Sequence, residues 1–164
     1  MRKFVLAAAA AAAVAFGGMA AMAAETPAAS GLEMANRVSV FPAGEENPYG
    51  KYFTGQSYLQ MLVTDAIPIG NVTFEPGCRN NWHIHHNSTQ ILLVTGGRGY
   101  YQEWGKAPQE LHPGDVVEVP PETKHWHGAA PDSWFSHLSV EVAGEGASNE
   151  WCEPVSDEEY SQVQ

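Results

Sequence analysis

Basic residues are scarce in this chain: 8 Lys and Arg face 19 Asp and Glu, for a formal charge of −11 over 164 residues. That balance argues against nucleic acid and against anionic membrane surfaces as partners, because both are bound through clustered Lys and Arg. Cysteine is nearly absent. Cys78 lies in a loop segment and Cys152 in the C-terminal tail, a placement that disfavours a disulfide between them even in an oxidising compartment. A twin-arginine pair and a cysteine suited to lipid attachment are both missing near the N-terminus.

What the N-terminus does contain is a short basic start, Met1-Arg2-Lys3, an apolar Ala-rich run from Phe4 to Phe16, and small residues at Ala21-Met22-Ala23. This is the layout of a secretory signal over residues 1–23. Its removal takes the charge from −11 to −13, since it carries Arg2 and Lys3 and no acid. The expected product is a soluble periplasmic protein with no membrane attachment after cleavage. Residues 24–50 read as a Pro/Ala/Ser linker and N-terminal arm, which leaves 51–164 as one domain with a tail.

Within that domain short β-rich runs recur between turn residues: Tyr58–Val63, Asn71–Glu75, Asn81–His85, Gln90–Thr95, Gly99–Trp104, Gln109–Leu111, Val116–Val119, His125–Gly128 and Phe135–Val142. Gly96-Gly97, Pro113-Gly114 and Pro131-Asp132 punctuate them. Many short strands at this spacing predict an all-β sandwich or jelly roll. Only the tail reads as helical, where Ser156 and Glu159 form a capping box opening Asp157–Gln162.

Several of these strands carry metal-binding side chains. His83 and His85 are two apart on a strand, so their imidazoles share a face. Gln90 offers a carbonyl oxygen at the start of the next strand, and His125 follows a Gly114-to-Pro120 turn-strand-turn spacing. Three imidazoles and one amide oxygen suit a single Mn, Fe, Ni, Cu or Zn ion and leave coordination positions open for a small-molecule substrate. His127 shares a face with His125 and reads as a support for that site or a general acid/base. His137 alternates with Phe135 and Ser139, and reads equally as a pocket acid/base or an ordinary strand residue. His86 and His112 sit at strand ends and are expected to be exposed. Trp82, Trp126 and Trp134 read as core.

The run Gly77-x5-His83-x-His85-x4-Gln90-x6-Gly97 followed by Gly114-x5-Pro120-x-Glu122-x2-His125-x3-Ala129 resembles the paired motifs of the cupin superfamily. It departs from them at Gln90, where most members have Glu, at Glu122 in place of Gly, and at Ala129 in place of Asn. The resemblance implies a jelly-roll β-barrel and a homodimer. Among cupins, Val72-Thr-Phe-Glu-Pro-Gly77, Lys124-His-Trp-His-Gly-Ala-Ala-Pro131 and Ser136-His-Leu138 are similar to the manganese-dependent hydroxynitrile lyases and to the cupin modules found with carboxymuconolactone decarboxylases. In that lyase group the ligands fall on His83, His85, Gln90 and His125, and the acid/base on His137. One spacing differs: four residues separate His85 from Gln90 here, and three do in those lyases.

A Gln ligand leaves the ion its full formal charge and makes it harder to oxidise, which tilts the chemistry from oxygen activation towards Lewis-acid catalysis. The sequence therefore predicts a Lewis-acid lyase acting on a small hydroxylated or carboxylated substrate, and the resemblance implies manganese as its ion. Two other functions stay open: dioxygen-dependent oxidation of a phenol or enol through Mn or Fe, and non-catalytic capture of a small molecule or metal.

Overall fold

The computed structural model describes residues 29–163; the secretory segment read over 1–23 lies outside them. In chain order the elements are α1 (Gly31–Ala35), β1 (Glu45–Glu46), a 3-10 turn (Gly50–Tyr52), β2 (Phe53–Thr54), β3 (Ser57–Val63), β4 (Ile69–Phe74), β5 (Arg79–Asn80) and β6 (His83–Gly97). They continue with β7 (Gly99–Glu103), β8 (Gln109–Leu111), β9 (Val116–Val119), β10 (His125–Ala129), β11 (Phe135–Trp151) and α2 (Asp157–Tyr160). The described strands form one curled antiparallel sheet, with β1, β3, β4, β11, β6, β10, β5 and β2 side by side, β7 and β8 continuing from β10, and β9 on β6. This is the all-β jelly roll with a short C-terminal helix that the sequence predicts.

Strand alternation sends Leu92, Val94, Val117, Val119, Phe74 and Phe135 into a shared apolar interior. A second cluster forms where the tail folds back and lays Val155, Tyr160 and Val163 over Trp82 and Trp126. Tyr160 fixes that closure by donating its hydroxyl to the Ala129 carbonyl at 2.6 Å. The capping box is present at Ser156 and Glu159. Trp134 packs with Tyr58, Ala35 and Ala43 in a third cluster.

Three details differ from the strand reading. The sequence predicts separate strands at Asn81–His85 and Gln90–Thr95, whereas one strand, β6, runs unbroken from His83 to Gly97. Its polar middle, His86 to Thr89, looks like a loop in sequence but stays in the ladder because β11 pairs along it. β11 itself continues past Val142 to Trp151, through a register shift between Ala143 and Ser148. Helix also occurs outside the tail: α1 is capped by Ser30, whose side chain accepts from Glu33 N–H.

The irregularity in β6 determines which residues meet. His85 and Gln90 are an odd number of positions apart, so a regular strand would turn them to opposite faces. Asn87 takes a left-handed conformation, φ 52°, and acts as a bulge residue that resets the alternation. His83 and His85 are buried before it, and Ser88, Gln90 and Leu92 after it. Asn accepts such a backbone more readily than most residues.

Candidate metal centre

β6 supplies His83, His85 and Gln90, and β10 supplies His125, paired directly across from His83. One ring nitrogen of each histidine lies within 4.8 Å of the others, and all three side chains are buried. Each outer nitrogen is anchored. His83 Nδ1 donates to the Asn81 carbonyl at 2.9 Å and His125 Nδ1 to the Thr123 carbonyl at 2.9 Å. His85 Nδ1 donates to Asn149 Oδ1 at 2.8 Å, with Glu141 Oε1 at 3.3 Å.

With the protons held on Nδ1, the three Nε2 lone pairs converge. His85 Nε2 is buried and has no hydrogen-bond partner. His125 Nε2 lies 3.2 Å from Gln90 Oε1, so two acceptors face each other. In this orientation Gln90 Nε2 donates to Ser139 Oγ at 2.9 Å. Converging acceptors without a proton among them are the donor set of a cation, and the residues present fit a divalent metal. Burial, then the neighbouring imidazoles, holds His83 well below its ordinary pKa, and burial holds His125 down to about 4. Both rings are neutral at pH 7, the form a metal ligand must take.

The loop before His125 is tied to the bulge after His85 by Glu122. This residue replaces the motif glycine and has φ 64°, a strain of about 1 kcal/mol for a side chain with a Cβ. Its N–H donates to the His85 carbonyl at 2.9 Å. Its carboxylate accepts from Asn87 N–H at 3.0 Å and from His86 Nδ1 at 2.6 Å. His86 is therefore half-buried in an ion pair rather than free, and exposed His112 pairs with Glu110 at 3.0 Å.

A cavity of about 310 Å³ opens onto the histidines, within the range of small-ligand sites. Phe53, Leu59, Met61, Val72 and Trp151 give it an apolar side. His127 and His137 line another part, His137 Nε2 being 3.2 Å from His127 Nδ1. Asn80 orders this pair. Its Oδ1 accepts from His127 N–H at 3.0 Å, so its Nδ2 donates to His127 Nε2, also at 3.0 Å. The proton of His127 is thereby placed on Nδ1, pointing at the lone pair of His137 Nε2. The structure thus brings His83, His85, Gln90, His127 and His137 to one cavity, with His125 fully buried behind them against His83 and Gln90. Trp82, Trp126 and Trp134 lie in the packed clusters, and Cys78 and Cys152 are free thiols, Cys78 buried.

Sequence reasoning missed Asn80, Glu141, Asn149 and Trp151. Glu141 carried a signal, being the next member of the His137, Ser139 alternation. Asn149 and Trp151 carried none, because Gly144 to Ala147 read as the end of the strand. Trp151 stacks on Tyr52 at 4.5 Å and lies 4.9 Å from His83, both centroid to centroid. A hydrogen bond from His85 holds the Glu141 carboxyl below its ordinary range.

Burial lowers the His137 pKa to about 4, against roughly 6.5 in an unfolded chain. Between these values the unfolded chain binds the proton more readily, so stability that is fully present above about pH 6.5 is lost as pH falls through about 4. For one such group this is about 3 kcal/mol at most. Melting curves taken from pH 7 down to pH 4 are expected to show a falling Tm, with a shallower fall in His137→Asn.

Fold and site together define a small jelly-roll barrel built around a three-histidine centre. The model of the cupin domain matches residues 70–140, which include all six of these side chains. The (R)-mandelonitrile lyase of Granulicella tundricola is 43% identical over 113 residues, covering 66% of this chain and 86% of that enzyme. A cupin-like protein of Thermotoga maritima superposes with a TM-score of 0.71 at 42% identity, over 76% of this chain and 96% of its own. A predicted oxalate decarboxylase of Thermotoga maritima has a TM-score of 0.56 at 16% identity, over 67% of this chain and 96% of its own, and shares the fold alone. The chain belongs to the cupin family.

Proposed function

We propose that this protein is a metal-dependent lyase that cleaves a small, neutral, hydroxylated compound, with a cyanohydrin as the specific case. The observation that carries this reading is the composition of the cavity. A neutral set of metal donors and a neutral histidine pair face an apolar wall, and no Lys or Arg lines the cavity among the described residues. Apart from the ion itself, a carboxylate substrate would find no cation to receive it. The likeness to (R)-mandelonitrile lyase supports the same class of substrate.

A divalent ion held by His83, His85, Gln90 and His125 supplies Lewis acidity towards an oxygen or a released anion. Manganese is the ion proposed, by resemblance to the hydroxynitrile lyases; the same donors also accept Fe, Ni, Cu or Zn. The protein's own part is to take and return the hydroxyl proton. A substrate hydroxyl in the cavity competes with His127 Nδ1–H for the lone pair of His137 Nε2, which burial keeps unprotonated at neutral pH. Phe53, Leu59, Met61 and Trp151 hold the hydrocarbon part and exclude water from it.

Cyanide release from aromatic and aliphatic cyanohydrins, measured under nitrogen, tests this. Turnover is expected to be the same with and without oxygen. Activity that appears only in air would replace the lyase reading with dioxygen chemistry.

A further inference from the structure

Among the described residues Glu141 is the one acidic side chain on the cavity wall. It sits across the β6–β11 ladder from Gln90, the two being direct partners in register. Its Oε1 is 3.3 Å from His85 Nδ1 and accepts the Ser88 hydroxyl at 3.0 Å. The side chain is 29% exposed, and Asn149 shares the same imidazole proton at 2.8 Å. The donor group itself, three imidazoles and an amide oxygen, offsets none of a bound ion's charge. A carboxylate hydrogen-bonded to the outer nitrogen of a ligating imidazole makes that imidazole more basic and places a negative charge one ring away from the ion.

We propose that Glu141, acting through His85, supplies the negative charge that the neutral donor set lacks, and is a positioning residue that sets the affinity of the site for a divalent cation. This rests on His83, His85, Gln90 and His125 holding a metal. Asn149 and Glu141 act on the same ring in different ways, since the shorter bond to Asn149 orients it and Glu141 brings the charge. The cross-strand register makes the idea separable from simple packing, because a carboxylate moved from position 141 to position 90 returns the charge to the same site from the facing strand.

The test is the Kd of metal-stripped protein for Mn²⁺, measured by competition with a chelating dye. Four chains are compared: the unaltered protein, Glu141→Gln, Gln90→Glu, and the double variant. Glu141→Gln is isosteric and partly exposed, so the fold is kept, as the Tm of the metal-free form will show. It is expected to weaken Mn²⁺ binding by about 10–100-fold, and the double variant to regain most of that loss. An unchanged Kd in Glu141→Gln beside tight binding in the unaltered protein overturns the proposal alone. A loss that Gln90→Glu does not restore also overturns it, and leaves Glu141 a packing residue. Absence of Mn²⁺ binding in the unaltered protein removes both the metal centre and the role of Glu141.

Discussion

Changing both His83 and His125 to Ala is expected to take metal content from close to one ion per chain to none, and cyanohydrin cleavage with it. The two rings lie 4.1 Å apart, centroid to centroid, on paired positions of β6 and β10. Removing them leaves His85 and Gln90, too few donors to hold an ion against water. The loss should also appear without any assay of activity. A ligand present at 100 times its Kd stabilises the folded state by about 2.7 kcal/mol, so adding Mn²⁺ is expected to raise the Tm of the unaltered protein and leave that of the double variant unmoved. Metal analysis of the purified proteins beside melting curves with and without Mn²⁺ checks both halves. Metal retained by the double variant would show that the converging Nε2 atoms are not the ligands.

His137→Ala is expected to give the second large effect, a fall of about 10²–10⁴ in kcat with metal content unchanged. His137 makes its hydrogen bond to His127 rather than to any of the three clustered histidines, and its ring packs among Phe74, Phe135 and His127. Its loss therefore removes a proton acceptor and leaves the metal donors in place. A drop in kcat with little change in KM is the pattern of an interaction made in the transition state. Undiminished turnover would remove the proton-transfer role and shift attention to His127.

The all-β architecture and the histidines were legible in the sequence for one physical reason, while the choice of a jelly roll over a sandwich came from the cupin motifs. Period-two alternation and turn residues determine strands, and metal ligands on strands must keep the spacing that puts them on one face. His83, His85, His125, His127 and His137 obey that rule directly. Gln90 does not, since its odd separation from His85 works only through the left-handed Asn87, a backbone choice made by tertiary pairing. Glu122 hides in the same way: the motif favours glycine there because the backbone turns left-handed, and only the contacts to Asn87 and the His85 carbonyl show why Glu is held. Asn149 and Trp151 were the least legible. They reach the cavity because β11 passes an irregular stretch and then rejoins β6, and no local pattern announces a strand that resumes.

The course of β11 also imposes an order in time. His83, His85, Gln90 and His125 are all synthesised before residue 135, yet Ser139, which holds the Gln90 amide, and Asn149, which orients His85, both arrive with β11. A nascent chain can therefore expose four potential ligands long before it can arrange them. Pairings this distant in sequence form late and slowly. A chain halted before its last long strand would carry those four side chains without Ser139 or Asn149 to hold them.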